Sequence, residues 1–315
     1  MRVLVTGSAG FVGSHLVARL RADDHEVTGL DSLTDYYDML LKRSNVEASV
    51  RLGADFVHGD LNSVDLVQLL DGIDVVFHLA GQPGVRSSWG SEFSTYTRCN
   101  VDATQKLLEA AKISPSLKRV VYASSSSIYG NAERYPTTEL DRPLPVSPYG
   151  VTKLAAEHLC TLYAACFGVP TVSLRYFTVY GPRQRPDMAF TRFAMAALQD
   201  SAITIYGDGE QIRDFTFVDD VVEANVLAAS REVPPGTVLN VAGGSHTSVN
   251  EVLEVFQEIS QKTLTITRVP SIAGDVHMTG GDTTAILSLL GWEPTVGLRE
   301  GISRQFDWAR NSLRS

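Results

Sequence analysis

Through the first 180 residues, short apolar runs alternate with longer stretches whose apolar residues recur every three or four positions. The short runs, rich in Val, Leu and Tyr and bounded by Gly, Asp or Ser, predict strands at 2–6, 25–30, 54–58, 75–79, 119–124 and 171–176. The helical spacing predicts helices near 11–21, 64–70, 97–112 and 148–167. Apolar strands separated by amphipathic helices imply a parallel sheet covered on both faces. After Tyr176 the pattern changes. Two prolines in 181–187 mark a loop, and beyond it short strands mix with helical stretches at 218–230 and 249–260. The expected fold is α/β: a doubly wound parallel sheet with a smaller α/β lobe. The expected division is 1–180 as the sheet domain, with segments near 214–240 returning to it, and 181–315 mainly as an interleaved second lobe.

The segment Thr6-Gly7-Ser8-Ala9-Gly10-Phe11-Val12-Gly13 ends the first strand and opens the first helix. Glycines there permit a tight turn, close approach of a pyrophosphate to the backbone, and close helix–strand packing. The helix N-terminus then faces negative charge. The spacing, Gly-x-x-Gly-x-x-Gly, is a variant of the dinucleotide fingerprint of Rossmann-type sheets. Asp31 ends the second strand 18 residues after Gly13. A carboxylate there accepts the adenosine ribose hydroxyls and repels a 2′-phosphate, so the expected cofactor is NAD rather than NADP. The first cation after Asp31 is Lys42, which agrees. Asp60 and Leu61 follow the third strand, where an adenine contact is expected. Leu79-Ala80-Gly81 ends the fourth, where small residues admit a cofactor. His78 reads as a packed strand-end residue.

Ser124-Ser125-Ser126-Ser127 closes the fifth strand and offers hydroxyls to a sugar. Tyr149 and Lys153 stand at i and i+4, on one face of a helix. The expectation is that the Lys153 ammonium lowers the Tyr149 pKa and makes its phenolate a general base.

Composition narrows the function classes. A net charge of -9 argues against general nucleic-acid binding, which requires a basic footprint. Three cysteines, Cys99, Cys160 and Cys166, have neither metal nor disulfide spacing. No run approaches the roughly 18 apolar residues of a membrane span, and the N-terminus is not a signal peptide. The expectation is a cytoplasmic protein without membrane, nucleic-acid or metal partners.

The glycine loop, Asp31, Leu79-Ala80-Gly81, the serine run, Tyr149-x-x-x-Lys153 and Arg175-Tyr176-Phe177 occur in the order of the extended short-chain dehydrogenases/reductases, which the whole chain resembles. Within them, 147–153, 178–189 and 31–38 are similar to the UDP-glucuronate 4-epimerases of the NAD-dependent epimerase/dehydratase family. The resemblance implies cofactor contacts at Gly7, Gly10, Phe11, Val12, Gly13, Asp31, Asp60, Leu61, Leu79, Ala80, Gly81, Tyr149, Lys153 and Tyr176. Asn100 begins a helix that borders the nicotinamide in relatives. Ser125 would hold the sugar C4 oxygen beside Tyr149. Gly207 to Phe215 resembles a nucleotide-binding element, which with Asp275 implies UDP contacts from Gln211 and Arg213. Arg185 and Arg192 are further expected phosphate cations, and Arg86 a sugar or phosphate contact. Relatives are usually homodimers built on two helices, here 97–112 and 148–167.

Departures from sister groups guide the substrate. The 4,6-dehydratases follow the catalytic hydroxyl with Asp-Glu, and decarboxylases carry a Glu where this chain has Ser127. Here both positions are serine. UDP-glucose 4-epimerases usually have Asn where this chain has Thr178. The expected reaction is 4-epimerisation of a UDP-hexuronic acid, with Ser126, Ser127 and Thr178 restraining the sugar carboxylate. A UDP-glucose or UDP-N-acetylglucosamine 4-epimerase, a UDP-glucuronate decarboxylase and a non-catalytic NAD-binding sensor remain alternatives.

Overall fold

The computed structural model describes residues 1–271, 274 and 276–312. Seven strands form the central sheet: β1 (Arg2–Thr6), β2 (Glu26–Asp31), β3 (Asp55–His58), β4 (Val75–His78), β5 (Arg119–Ser125), β6 (Thr171–Tyr176) and, from later in the chain, Thr237–Val241. Three short strands complete the numbering before that last one: β7 (Thr178–Tyr180), β8 (Ile203–Tyr206) and β9 (Ile212–Phe217). The seventh sheet strand is therefore β10, and β11 (His246–Ser248) and β12 (Ile266–Val269) follow it. The sheet order is β10-β6-β5-β4-β1-β2-β3, and every pairing is parallel. Chain direction across the sheet reverses between β1 and β4, which opens a crevice at their carboxyl ends.

Strand alternation divides the core. Val3, Val5, Phe77, Val121 and Val172 face Leu16 and Val17 of α1 (Phe11–Ala22) and residues 221–228 of a later helix. Leu4, Val76, Val120 and Tyr122 face the opposite layer, which holds Leu107, Leu108, Ala156 and Cys160. Each fully buried Leu or Val contributes about 1.5–3 kcal/mol. The remaining helices are α2 (Met39–Arg51), α3 (Leu66–Leu69), α4 (Phe93–Tyr96), α5 (Ala103–Ile113), α6 (Pro148–Phe167), α7 (Ala189–Gln199), α8 (Val218–Ser230), α9 (Val249–Ser260), α10 (Thr284–Leu290) and α11 (Leu298–Ser312). The smaller sheets, β11-β9-β7 and β12-β8, carry the second lobe. Its centre is aromatic: the Phe190 ring lies 4.9 Å from Tyr180 and 4.7 Å from Phe215.

Three elements differ from the sequence expectation. α2 carries no apolar stripe, because its buried residues are Lys42, Asn45 and Ser49, so periodicity does not reveal it. β10 is a continuous five-residue strand whose apolar run is broken by Asn240, so it carries a weak sequence signal. The helix expected at 97–112 is two pieces: a widened π turn at Thr97–Asp102 precedes α5.

Candidate active site

The crevice at the switch point is a cleft of about 260 Å³. Gly7, Gly10, Phe11, Val12 and Gly13 line it. Gly7 has φ +71°, and a Cβ there would stand 2.8 Å from the Ala80 nitrogen. A Cβ on Gly13 would stand 2.1 Å from the Gly7 oxygen, so these positions accept only glycine. α1 begins behind Gly10 with no side-chain cap and no acidic residue in its first turn, a terminus suited to a phosphate. Asp31 closes β2 with its carboxylate held by the amides of Ala9 (3.1 Å) and Leu33 (2.8 Å). This is a cradle that fits a dinucleotide.

Asp60, Leu61, Leu79, Ala80, Gly81 and Tyr176 also line the cleft. Burial pushes the Asp60 carboxyl up, but the Asn62 amide and the Arg98 guanidinium outweigh it and hold the group below the usual range. Asn100 is a correction. It does not begin a helix and does not line the cleft; it is buried inside the π turn. Its Oδ1 accepts from the Gln82 amide at 2.7 Å, and its Nδ2 donates to the Gln82 carbonyl and to the Thr152 hydroxyl. Lys42 is a second surprise. α2 folds it back into the cleft, where its ammonium donates to the Thr34 carbonyl at 2.7 Å and lies in the field of Asp31.

Tyr149 and Lys153 stand at the inner end. Ser147 caps α6 by accepting from the Gly150 amide at 3.1 Å, and Pro148 occupies the first turn. That start places Tyr149 and Lys153 on the face toward the cleft. Ser125, at the tip of β5, lies beside the Tyr149 phenol, whose ionised form it favours, and accepts from the Ser127 amide at 3.1 Å. Burial raises the Tyr149 pKa, and the Ser125 hydroxyl and the Arg185 guanidinium oppose it. Burial holds Lys153 itself down to about 8, against a weaker upward pull from Cys160 and Glu157. The Lys153 ammonium lies over the Tyr122 ring, 4.7 Å from its centroid.

The serine run is not uniform. Ser124 lines the cleft, and its hydroxyl is committed to Glu157, donating to Oε2 at 2.6 Å. Ser126 and Ser127 form the turn after β5 and are half-buried. Thr178 begins β7, paired with Phe215, and is not part of the cleft wall.

The structure splits the expected phosphate cations. Arg185 lines the cleft beside Tyr149 and forms a two-point fork with Asp187, both contacts at 2.9 Å. Arg86 lies over the Tyr206 ring at 4.1 Å, and Gln211 donates to the Tyr206 carbonyl at 3.2 Å. Arg213 donates to the carbonyls of Ile212 and Val276 at 2.9 and 2.6 Å. Arg192 sits half-buried on α7, away from the cleft wall. Asp275 lies outside the described residues.

Sequence reasoning missed Thr34, Tyr36, Tyr37 and Gln82 as cleft residues. Tyr36 and Tyr37 lie within 31–38, a segment whose family resemblance was legible but whose residues carry no spacing signal of their own. Among the described residues, no group of His, Cys, Asp or Glu could hold a metal ion, and no helix is long and apolar enough to cross a membrane.

Residues 3–242 match the model of the NAD dependent epimerase/dehydratase family. The uncharacterized UDP-glucose epimerase YtcB of Bacillus subtilis (strain 168) is 41% identical over 307 residues, covering 97% of this chain and 96% of the relative. The UDP-glucuronate 4-epimerase of Thermodesulfobacterium geofontis (strain OPF15) is 34% identical over 98% of this chain and 96% of its own length. Among solved structures, UDP-glucuronic acid 4-epimerase from Bacillus cereus in complex with UDP-glucuronic acid and NAD superposes with a TM-score of 0.95, at 41% identity over 99% of this chain and 100% of that one. MoeE5 in complex with UDP-glucose and NAD matches with a TM-score of 0.90, at 44% identity over 99% of this chain and 100% of that one. With its parallel seven-stranded sheet, glycine cradle and Ser125–Tyr149 pair, the chain belongs to the NAD dependent epimerase/dehydratase family.

Proposed function

We propose that this protein is an NAD-dependent 4-epimerase of a UDP-hexuronic acid, interconverting UDP-glucuronate and UDP-galacturonate. The observation that carries the reading is Ser125 beside the Tyr149 phenol, followed by Ser126 and Ser127 rather than by acids. The relatives that act on UDP-glucuronate support it.

The glycine loop, Asp31, Asp60, Leu61, Leu79, Ala80, Gly81, Tyr149, Lys153 and Tyr176 would hold the cofactor, with Asn100 supporting the Gln82 backbone beside it. NAD, when bound, supplies a hydride acceptor that becomes a hydride donor. Tyr149 takes the proton of the sugar C4 hydroxyl as that carbon is oxidised, and Ser125 holds the oxygen. The C4 ketone turns over and is reduced on its other face, with Tyr149 returning the proton. Arg185 and Ser125 offset the burial that raises the Tyr149 pKa.

A ketone at C4 with a carboxylate on C5 is a β-keto acid, which loses CO2 when the C5–C6 bond stands perpendicular to the carbonyl. Ser126, Ser127 and Thr178 restrain that bond. Arg185, which lines the cleft beside Tyr149, is the cation offered to the substrate's phosphate or carboxylate. Arg86, Arg192, Gln211, Arg213 and Asp275 anchor the UDP. In this reading 1–180, with 214–240 returning to it, holds NAD, and 181–315 mainly holds the UDP-sugar. We assign a homodimer to the outer faces of α5 and α6, where Ile113, Leu162 and Phe167 are more than half exposed, and a cytoplasmic location consistent with three free cysteines.

The test is NMR of the purified protein with UDP-glucuronate and no added reductant. UDP-galacturonate without CO2 is the expected product. UDP-pentose with CO2 overturns the restraint and moves the protein to the decarboxylases. A second reading, a neutral-sugar 4-epimerase, is favoured by the likeness to the uncharacterized UDP-glucose epimerase of Bacillus subtilis; turnover of UDP-glucose alone would establish it.

A further inference from the structure

We propose that His78 is a positioning residue: through Thr104 and Asn100, its imidazole registers the first turn of α6, which carries Tyr149, against the 80–82 floor of the cleft. The inference deepens the epimerase reading and rests on it for its kinetic consequence.

Thr6, His78 and Tyr122 are side by side across β1, β4 and β5. His78 is 1% exposed, and both ring nitrogens are engaged: Nδ1 with the Thr6 hydroxyl at 2.8 Å, Nε2 with the Thr104 hydroxyl at 2.9 Å. The partners decide the tautomer. Thr104 donates its only hydroxyl proton to the Asn100 carbonyl at 2.6 Å, so it accepts from Nε2–H. Nδ1 is then the acceptor, and Thr6 donates to it while accepting from the Ala80 amide at 3.2 Å.

The chain continues without a break. The carbonyl that Thr104 holds belongs to Asn100, inside the π turn, where the regular helical ladder is interrupted. The Asn100 side chain clasps Gln82 by its amide and its carbonyl. It also donates to the Thr152 hydroxyl at 3.0 Å, and Thr152 donates to the Tyr149 carbonyl at 2.8 Å. Ala80 and Gln82 line the cleft, as does Tyr149. One imidazole thus ties the end of β1, the floor after β4, the π turn and the start of α6 into a single register.

The ring must stay neutral for this. Lys153 on α6 and Tyr122 on β5, whose ring is 5.6 Å away, are the titratable groups facing it. Burial, with Lys153 as a lesser cause, drops the His78 pKa to about 3, so the donor and acceptor roles persist across the working range. A protonated ring would also carry a proton on Nδ1, against the hydroxyl Thr6 donates, and break the link to the end of β1.

The experiment pairs kinetics with NMR on the full-length protein. His78→Phe and Thr104→Val should each lower kcat roughly ten- to a hundredfold, the cost of a small misplacement of reacting groups, with KM held within about twofold. The double variant should be no slower than the worse single, since both break one chain. Thr104→Ser, which keeps the hydroxyl, should restore most of the rate. Losses that multiply, a loss carried by KM, or a Thr104→Val enzyme within about twofold of the wild type would overturn the proposal. In the substrate-free protein, imidazole 15N spectra should show His78 as the Nε2–H tautomer down to about pH 5. Thr104→Val should shift the Gln82 and Thr152 amides. An Nδ1–H ring, or unmoved amides, would equally overturn it. If the wild type leaves UDP-glucuronate untouched, the substrate reading fails, and the spectra alone decide the register claim.

Discussion

Beneath the cleft floor, Glu157, Arg175, Tyr129 and Asn240 form a buried chain of polar contacts that Ser124 joins to the cleft wall; at the rim, Arg86 and Arg213 lean on partners nearer solvent. Under the floor, Arg175 meets both Glu157 oxygens, at 3.0 and 2.7 Å, and donates to the Tyr129 hydroxyl at 2.6 Å. Tyr129 donates to Asn240 Oδ1 at 2.7 Å, and the pair Arg175–Glu157 is almost wholly buried. At the rim, Arg86 lies against a ring face and Arg213 donates to backbone carbonyls, whereas Arg185, inside the cleft, pairs with a half-exposed Asp187. The contrast teaches where rigidity is placed. The floor is organised before any ligand arrives, as charge stabilisation in a transition state requires. The rim presents cations that can exchange protein partners for phosphate or carboxylate oxygens as a ligand enters.

The largest test of the contrast is Tyr149→Phe. It removes the proton-transferring group and leaves the rim intact. Its kcat should fall about 10²–10⁴-fold while calorimetry finds nucleotide-sugar affinity unchanged. Comparable losses in affinity would merge the two regions. Next, Glu157→Gln leaves Arg175 buried without its counter-charge and should cost about 3–5 kcal/mol of stability in denaturant titration. A combined Glu157→Leu and Arg175→Met variant should recover part of that loss.

Lys153 sharpens the floor by pH. Its folded pKa of about 8 lies below its ordinary 10.5, so the folded chain gives up the proton first as pH rises. The burial penalty is therefore full below the folded value and fades between the two. Lys153→Met should stabilise the cofactor-free protein at neutral pH, and the gain should vanish as pH approaches 10.5, in parallel melting curves.

At the rim the effects are smaller. Arg213→Ala should weaken UDP binding about tenfold with kcat unchanged. Thr178→Ala should leave turnover nearly intact and raise the pentose by-product; an unchanged product ratio in NMR removes Thr178 from the carboxylate's restraint.

Much of this was legible in the residues. β1, β4, β5 and β6 announce themselves as apolar runs, and α1 and α6 by their start signals: Gly10–Phe11 after a strand, and Ser147-Pro148 before Tyr149. The cofactor cradle was equally clear, since Gly7, Gly13 and Asp31 act through backbone geometry a few residues away. α2 was hidden because it buries Lys42, Asn45 and Ser49 instead of an apolar stripe. Lys42 shows the limit of counting along the chain: distant from Asp31 in sequence, it shares the same cleft. Asn100 looked like a helix start and is instead the clasp of a π turn.

By itself, the sequence determined the elements, the family, the NAD cradle and the shared helix face of Tyr149 and Lys153. Those follow from local periodicity and short-range backbone geometry, which a few neighbouring residues specify. Only the tertiary structure decided that burial raises the Tyr149 pKa against Ser125 and Arg185, that Ser124 is tied to Glu157, and that His78 has a determined tautomer. Each of these depends on desolvation and on distances between groups far apart in the chain, and both exist only once the strands and helices have packed.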